Sequence, residues 1–181
     1  MHLQKGTSLL QGKYIIDSVL GQGGFGITYL ATQTSLNRQV AIKEFFIKDY
    51  CGRESDTTLM TVGSGFSSEL VEQYKRKFIK EAQTIAGLDN PHIIRIHDVF
   101  EENGTAYYVM EYLQFGNLQQ RIPDKGMNHK DANKYILQIA EALNYVHNHG
   151  ILHLDVKPSN VMFRSIDQAV LIDFGNAKHF N

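Results

Sequence analysis

Only one cysteine, Cys51, occurs in the 181 residues. It has no partner for an intramolecular disulfide, and without a second thiol a Cys-based metal cluster is excluded; a free thiol in a reducing compartment is the expected state. No apolar run approaches the ~20 residues of a membrane span, and the opening "MHLQKGTSLLQGKY" lacks the apolar centre of a secretory leader. Excess charge is absent too: the formal net charge is −1. No strong field is therefore available to recruit nucleic acid or an acidic membrane surface, and the basic run "YKRK" reads as a solvated helix face. Internal repeats and low-complexity tracts are also missing. What remains is a composition ordinary for a globular protein, 43% hydrophobic and 20% charged, long enough for one domain or two small lobes. The default location is the cytoplasm.

Against these absences stands "GQGGFGITYLA", in which Gly21, Gly23 and Gly26 fall at G-x-G-x-x-G spacing. Such spacing brings backbone close to phosphate, and two unrelated folds use it. The dinucleotide fingerprint needs a helix to begin inside the glycine run. Here Ile27, Thr28 and Tyr29 follow, poor helix starters and good strand formers. No Gly-Lys-Ser/Thr closes the motif, which excludes a Walker-type loop. With "YIIDSVL" before and "VAIKEFF" after, the glycines lie in a turn between antiparallel strands, the geometry of a flap over nucleotide phosphates.

Further along, residues 49–69 are polar and Gly/Ser-rich and read mostly as loop. A helix is predicted over 69–86, with Val71, Tyr74, Phe78, Ala82 and Ile85 on one face. Glu81 shares that face, and a carboxylate turned inward demands a cationic partner. Lys43, at the end of "VAIK" on the third strand, is the candidate. "HIIRIHDVF" and "AYYVMEYL" read as strands joined at "EENG". A short helix starts at Asn117, a long one spans about 129–147 with a stripe of Ala132, Ile136, Ile139, Leu143 and Val146, and two short strands, "VMF" and "AVLI", flank "RSIDQ". The remaining histidines show no metal-ligand spacing.

The last signals are "HLDVKPSN", His153 to Asn160, and "DFG", Asp173 to Gly175. With flap, VAIK lysine and helix glutamate, they occur in the order found in protein kinases. The chain resembles the eukaryotic-type serine/threonine protein kinases over about residues 12–181. The resemblance implies an α+β, bilobal protein-kinase-like fold: an N-lobe at 1–112, an antiparallel sheet plus one helix, and a partial, mainly helical C-lobe at 113–181. It implies ATP and Mg²⁺ as cofactors and serine or threonine of a protein as substrate. By resemblance, Gly21, Gly23 and Gly26 cover the phosphates, and Lys43 paired with Glu81 holds them. Asp155 orients the substrate hydroxyl, Lys157 contacts the γ-phosphate, and Asn160 and Asp173 hold Mg²⁺. Thr28, Ala41 and Met162 sandwich adenine, Met110 gates its pocket, the backbones of Glu111 and Leu113 bind its edge, and Asn117 meets ribose.

Two departures accompany the resemblance. Leu154 stands where many relatives carry an arginine that receives an activation-loop phosphate, so that mode of control is not expected here. The 181 residues also end six positions after Gly175, before any activation segment or A-P-E motif. The expectation is that this length of chain binds Mg·ATP weakly, has a loosely held C-lobe and does not phosphorylate proteins at a useful rate. The alternatives are an inactive nucleotide-binding or regulatory remnant, a fragment of a longer kinase gene, and a small-molecule kinase of similar fold.

Overall fold

Strand-forming sequence dominates the first part of the chain, and it builds one antiparallel sheet. In a computed structural model, residues 2–65 and 67–180 are described. Strands β1 (Ser8–Leu9), β2 (Tyr14–Gln22), β3 (Gly26–Gln33), β4 (Arg38–Phe45), β7 (Ile96–Glu102) and β8 (Thr105–Glu111) form a six-stranded sheet in the order β1-β2-β3-β4-β8-β7. Between β4 and β7 lie the short hairpin of β5 (Cys51–Gly52) and β6 (Thr61–Val62) and the helix α1 (Ser68–Ala86). A second set of elements follows: α2 (Leu118–Arg121), α3 (His129–Asn148), β9 (Ile151–Leu152), β10 (Val161–Ser165), β11 (Gln168–Leu171) and β12 (Lys178–His179). The chain divides into two compact units, Met1–Gln83 with Ile96–Tyr112, and Thr84–Arg95 with Leu113–Asn181.

In the first unit, alternation along β4 sorts side chains to two faces. Lys43 and Phe45 lie on the α1 side, where the Phe78 ring packs against those of Phe45 and Tyr108 with centroids 5.8 and 4.8 Å away. Val40, Ile42 and Glu44 lie on the other side and are fully buried. Buried Leu3 and Leu9 from the N-terminal segment and Phe46, Ile47, Cys51 and Met60 from the β4–α1 connection belong to the same core. The β7–β8 turn is two residues, Asn103 and Gly104, with φ of 56° and 71°, the left-handed pair that a tight hairpin of this twist requires.

In the second unit, α3 packs on β9 and β11. Asn128 caps α3 by accepting the Asp131 N–H at 2.9 Å. Ile93 and Ile94 bridge to Leu171, which places 92–94 beside β11.

Several readings of the sequence change. The 49–69 stretch is not simply loop: it contains β5 and β6 and contributes the buried Arg53. Its polar composition hid this, because Arg53 is solvated by a carboxylate rather than by water. Residues 92–95 are not part of the strand that starts at Ile96; their apolar pair bonds to β11 instead. The buried stripe of α3 is Tyr135, Ile139, Ala142 and Val146, while Ile136 is 64% exposed. Tyr135 sets the stripe because its ring meets Phe163 edge-on at 4.9 Å. Cys51 is buried with a free thiol, and burial pushes its pKa up.

Candidate functional site

The candidate residues fall into two groups, one in each unit. In the first unit the flap is the β2–β3 connection. The Gly23 N–H donates to Gly26 O at 2.9 Å, and the Lys48 N–H donates to Gly24 O at 3.2 Å. A Cβ on Gly26 would sit 2.8 Å from the Glu44 carbonyl oxygen, so only glycine lets β3 approach β4 here. An added Cβ would meet nothing within 4 Å at Gly21 and only the Gly26 carbonyl oxygen, at 4.0 Å, at Gly23. That leaves room over the turn for a ligand, and the exposed Phe25 at its tip stacks obliquely on Tyr74 of α1, centroids 5.8 Å apart.

Register carries Lys43 to its partner. Lys43 faces Thr28 on β3 and Tyr108 on β8. Its Nζ lies 3.8 Å from Glu81 Oε1, with the two side chains 23% and 10% exposed. The Tyr108 hydroxyl donates to the same Oε1 at 3.3 Å, and Lys43 Nζ stands 5.6 Å from the Tyr108 ring centroid. Ala41 is buried, while Thr28, Met110 and Glu111 are partly exposed.

The second unit holds the rest. Lys157 Nζ donates to Asp155 Oδ2 at 2.9 Å. This ammonium, aided by Asn160, holds the Asp155 carboxyl below the usual range. Asn160 Nδ2 donates to Asp155 O and Oδ2 at 2.9 and 3.0 Å. The amide hydrogens are thus directed at Asp155, and the amide oxygen points elsewhere. The Ile172 N–H donates to Asn160 O at 2.9 Å, which ties the catalytic-loop candidate to the residue before Asp173. Asp173 Oδ1 accepts the Gly175 N–H at 3.3 Å. An amide oxygen and a carboxylate suit a hard cation such as Mg²⁺, so the donor set fits the metal the sequence implies. Leu113 is buried, and Asn117 bridges to Met162. The Asn117 side chain caps α2 in a capping box with Gln120, so its Oδ1 is engaged with the Gln120 N–H at 2.9 Å.

Leu154 and Asp173 both take left-handed backbone, φ 61° and 59°. This costs about 1–2 kcal/mol for a residue with a Cβ. Strain of this kind gathers at functional sites, and here it flanks the two carboxylates.

His153 links them. Its Nε2–H donates to Ile172 O at 2.9 Å, and its Nδ1 accepts the Asp155 N–H at 3.2 Å. The ring is 1% exposed and meets Phe174 edge-on at 4.7 Å. Burial lowers the His153 pKa, and the bond to Ile172 only partly opposes it. A proton on Nδ1 would also oppose the Asp155 N–H donor to donor. Because the folded value lies below the unfolded ~6.5, stability is full above that pH and declines as pH falls below it. We expect ¹H–¹⁵N NMR to find His153 as the neutral Nε2–H tautomer at pH 6.5. Half-protonation at that pH would contradict the bonding described.

Sequence reasoning missed Glu44, Arg53 and Tyr108. The period-2 pattern of β4 carried a signal for Glu44, a charge at an inward position; nothing local marked Arg53.

The protein kinase domain family model matches residues 14–181. A probable serine/threonine-protein kinase of Clostridium acetobutylicum is 33% identical over 96% of this chain and 24% of its own length. Serine/threonine-protein kinase PrkC of Bacillus subtilis is 33% identical over 93% of this chain and 23% of its own. The apo form of PpkA-294 superposes with a TM-score of 0.87 at 29% identity, covering 96% of this chain and 62% of that one. The chain thus spans about a quarter of the length of these curated relatives.

Proposed function

Since the chain belongs to the protein kinase family, we propose that it binds Mg·ATP and serves phosphoryl transfer to serine or threonine of a protein, in the cytoplasm. The lobes of this reading are residues 1–112 and 113–181. The carrying observation is Lys43 held 3.8 Å from Glu81 on the strand that lines the glycine flap. A cation fixed there by a partly buried carboxylate is what the α- and β-phosphates need, and the glycine turn of Gly21, Gly23 and Gly26 would cover them. By family resemblance, Thr28, Ala41 and Met162 would sandwich adenine, Met110 would gate its pocket, the backbones of Glu111 and Leu113 would bind its edge, and Asn117 would meet ribose.

Asp155 is the group that orients the attacking hydroxyl. As an ionised aspartate it is an acceptor at neutral pH, so its part is to hold the hydroxyl proton and align the oxygen. Lys157, bonded to Asp155, carries positive charge to the transferring phosphate. Asn160 and Asp173 would hold Mg²⁺, which neutralises phosphate charge when bound.

Mg·ATP is expected to raise the melting temperature of the protein, since a ligand at ~100 times its Kd stabilises by about 2.7 kcal/mol. Asp173→Asn should remove the Mg²⁺-dependent part of that rise and leave any metal-free part intact. An Mg²⁺-dependent shift of equal size in both proteins would remove Asp173 from the metal site. No shift in the wild type would count against nucleotide binding itself.

A further inference from the structure

On the face of β4 opposite Lys43 lies a second charged centre that phosphate binding does not use. Glu44 is fully buried. Its Oε1 accepts from Arg53 Nη2 and from the Tyr107 hydroxyl at 3.0 Å. Its Oε2 accepts from the Tyr29 hydroxyl at 2.6 Å and Arg53 Nη1 at 3.3 Å. The same donors reach outward. The Tyr29 hydroxyl accepts the Leu3 N–H at 3.1 Å, the Tyr107 hydroxyl accepts from Asn103 Nδ2 at 3.1 Å, and Arg53 Nε donates to Thr58 O at 2.7 Å. One carboxylate therefore joins β3, β4, β8, the N-terminal segment and the β4–α1 connection. Burial, with Glu44 beside them, pushes the Tyr29 and Tyr107 hydroxyls up in pKa. For Arg53, burial works the other way and the bond to Glu44 outweighs it.

A buried ion pair is not a cheap way to fill a core, since well-packed apolar residues serve stability as well or better. What it adds is a single allowed position. A forked guanidinium and two fixed hydroxyls accept the carboxylate in one place only. That place sets register: Glu44 stands opposite Tyr107 on β8, so Lys43 stands opposite Tyr108, whose hydroxyl holds Glu81.

We propose that Glu44 and Arg53 are positioning residues, whose buried pair fixes β4 against β8 so that Lys43 meets Glu81 and the nucleotide site keeps its affinity. The proposal rests on Lys43 being the phosphate-binding lysine, and the experiment separates the two.

Four variants of the whole chain are compared: Glu44→Met, Arg53→Met, the double Glu44→Met/Arg53→Met, and Met60→Ala. Met60 is buried in the hydrophobic core of the same unit and serves as a control for simple loss of packing. Each is followed by thermal unfolding, Mg·ATP titration and amide hydrogen exchange over 40–45. Each single charge variant leaves one charge of the pair buried without the opposite charge and should melt well below the double, which regains most of the wild-type melting temperature. The double should nonetheless bind Mg·ATP about tenfold more weakly, as expected when one charge-assisted contact is misplaced. Its amides at Lys43 and Glu44 should exchange faster, while Met60→Ala keeps its affinity. A double variant with wild-type affinity and exchange overturns the proposal and leaves the pair a packing feature. If the wild type does not bind Mg·ATP, the proposed function fails, and exchange at Lys43 and Glu44 alone decides the clamp. Should the double not fold, Arg53→Lys replaces it: charge is kept and the fork lost, so weaker binding with faster exchange supports the clamp, and wild-type behaviour overturns it.

Discussion

Lys43→Met is expected to weaken Mg·ATP binding by ~10–100-fold, the equivalent of one charge-assisted contact of about 1.5–3 kcal/mol. Methionine keeps the length and apolar stem of lysine and removes only the charge. The fold should tolerate the change. The Lys43–Glu81 pair is long at 3.8 Å and not fully buried, so its own contribution to stability is about 1 kcal/mol or less. Glu81 also keeps the Tyr108 hydroxyl at 3.3 Å. The decisive measurement is calorimetric titration of Mg·ATP beside a melting curve. Undiminished affinity with a normal melt would show that the nucleotide phosphates lie elsewhere. A collapsed melt would instead mean that the pair is chiefly structural.

Phe78→Ala is expected to cost ~3–5 kcal/mol, the usual range for deleting a buried aromatic ring. Phe78 is 6% exposed and lies between Phe45 and Tyr108, joining α1 to β4, which carries Lys43, and to its neighbour β8. Against a net domain stability of ~5–15 kcal/mol, that loss threatens the first unit as a whole. Glu81 is three residues further along the same helix face, so nucleotide affinity should fall with stability. Urea unfolding monitored by tyrosine fluorescence reads the first effect. A loss below about 1 kcal/mol would mean that α1 does not pack on the sheet through this ring.

The elements that read cleanly from sequence are those whose signal is local. Alternating β-branched and aromatic residues gave β2, β3 and β4, because burial of one face follows directly from the period of the strand. The apolar stripe with an inward Glu81 gave α1 and required a cation, and the start of a short helix at Asn117 was also legible, although its capping box with Gln120 appeared only in the structure. The glycine run, HLDVKPSN and DFG carried the resemblance to protein kinases, and the family match over residues 14–181 bears that resemblance out.

Tertiary structure alone decided the rest. No pattern in 49–69 says that Arg53 is buried, since its partner Glu44 is on another strand and pays its desolvation through geometry, not through neighbours in sequence. The stripe of α3 turned toward Tyr135 and away from Ile136 because Phe163, distant in the chain, supplies the surface that receives it. Residues 92–94 left their strand for β11 because backbone donors and acceptors were available there. His153 was legible as part of a motif, but its neutral tautomer was not: that depends on Ile172 and the Asp155 amide arriving on opposite sides of one ring. Sequence fixes residue type and local period, whereas burial and partner depend on which distant groups the fold brings within bonding distance.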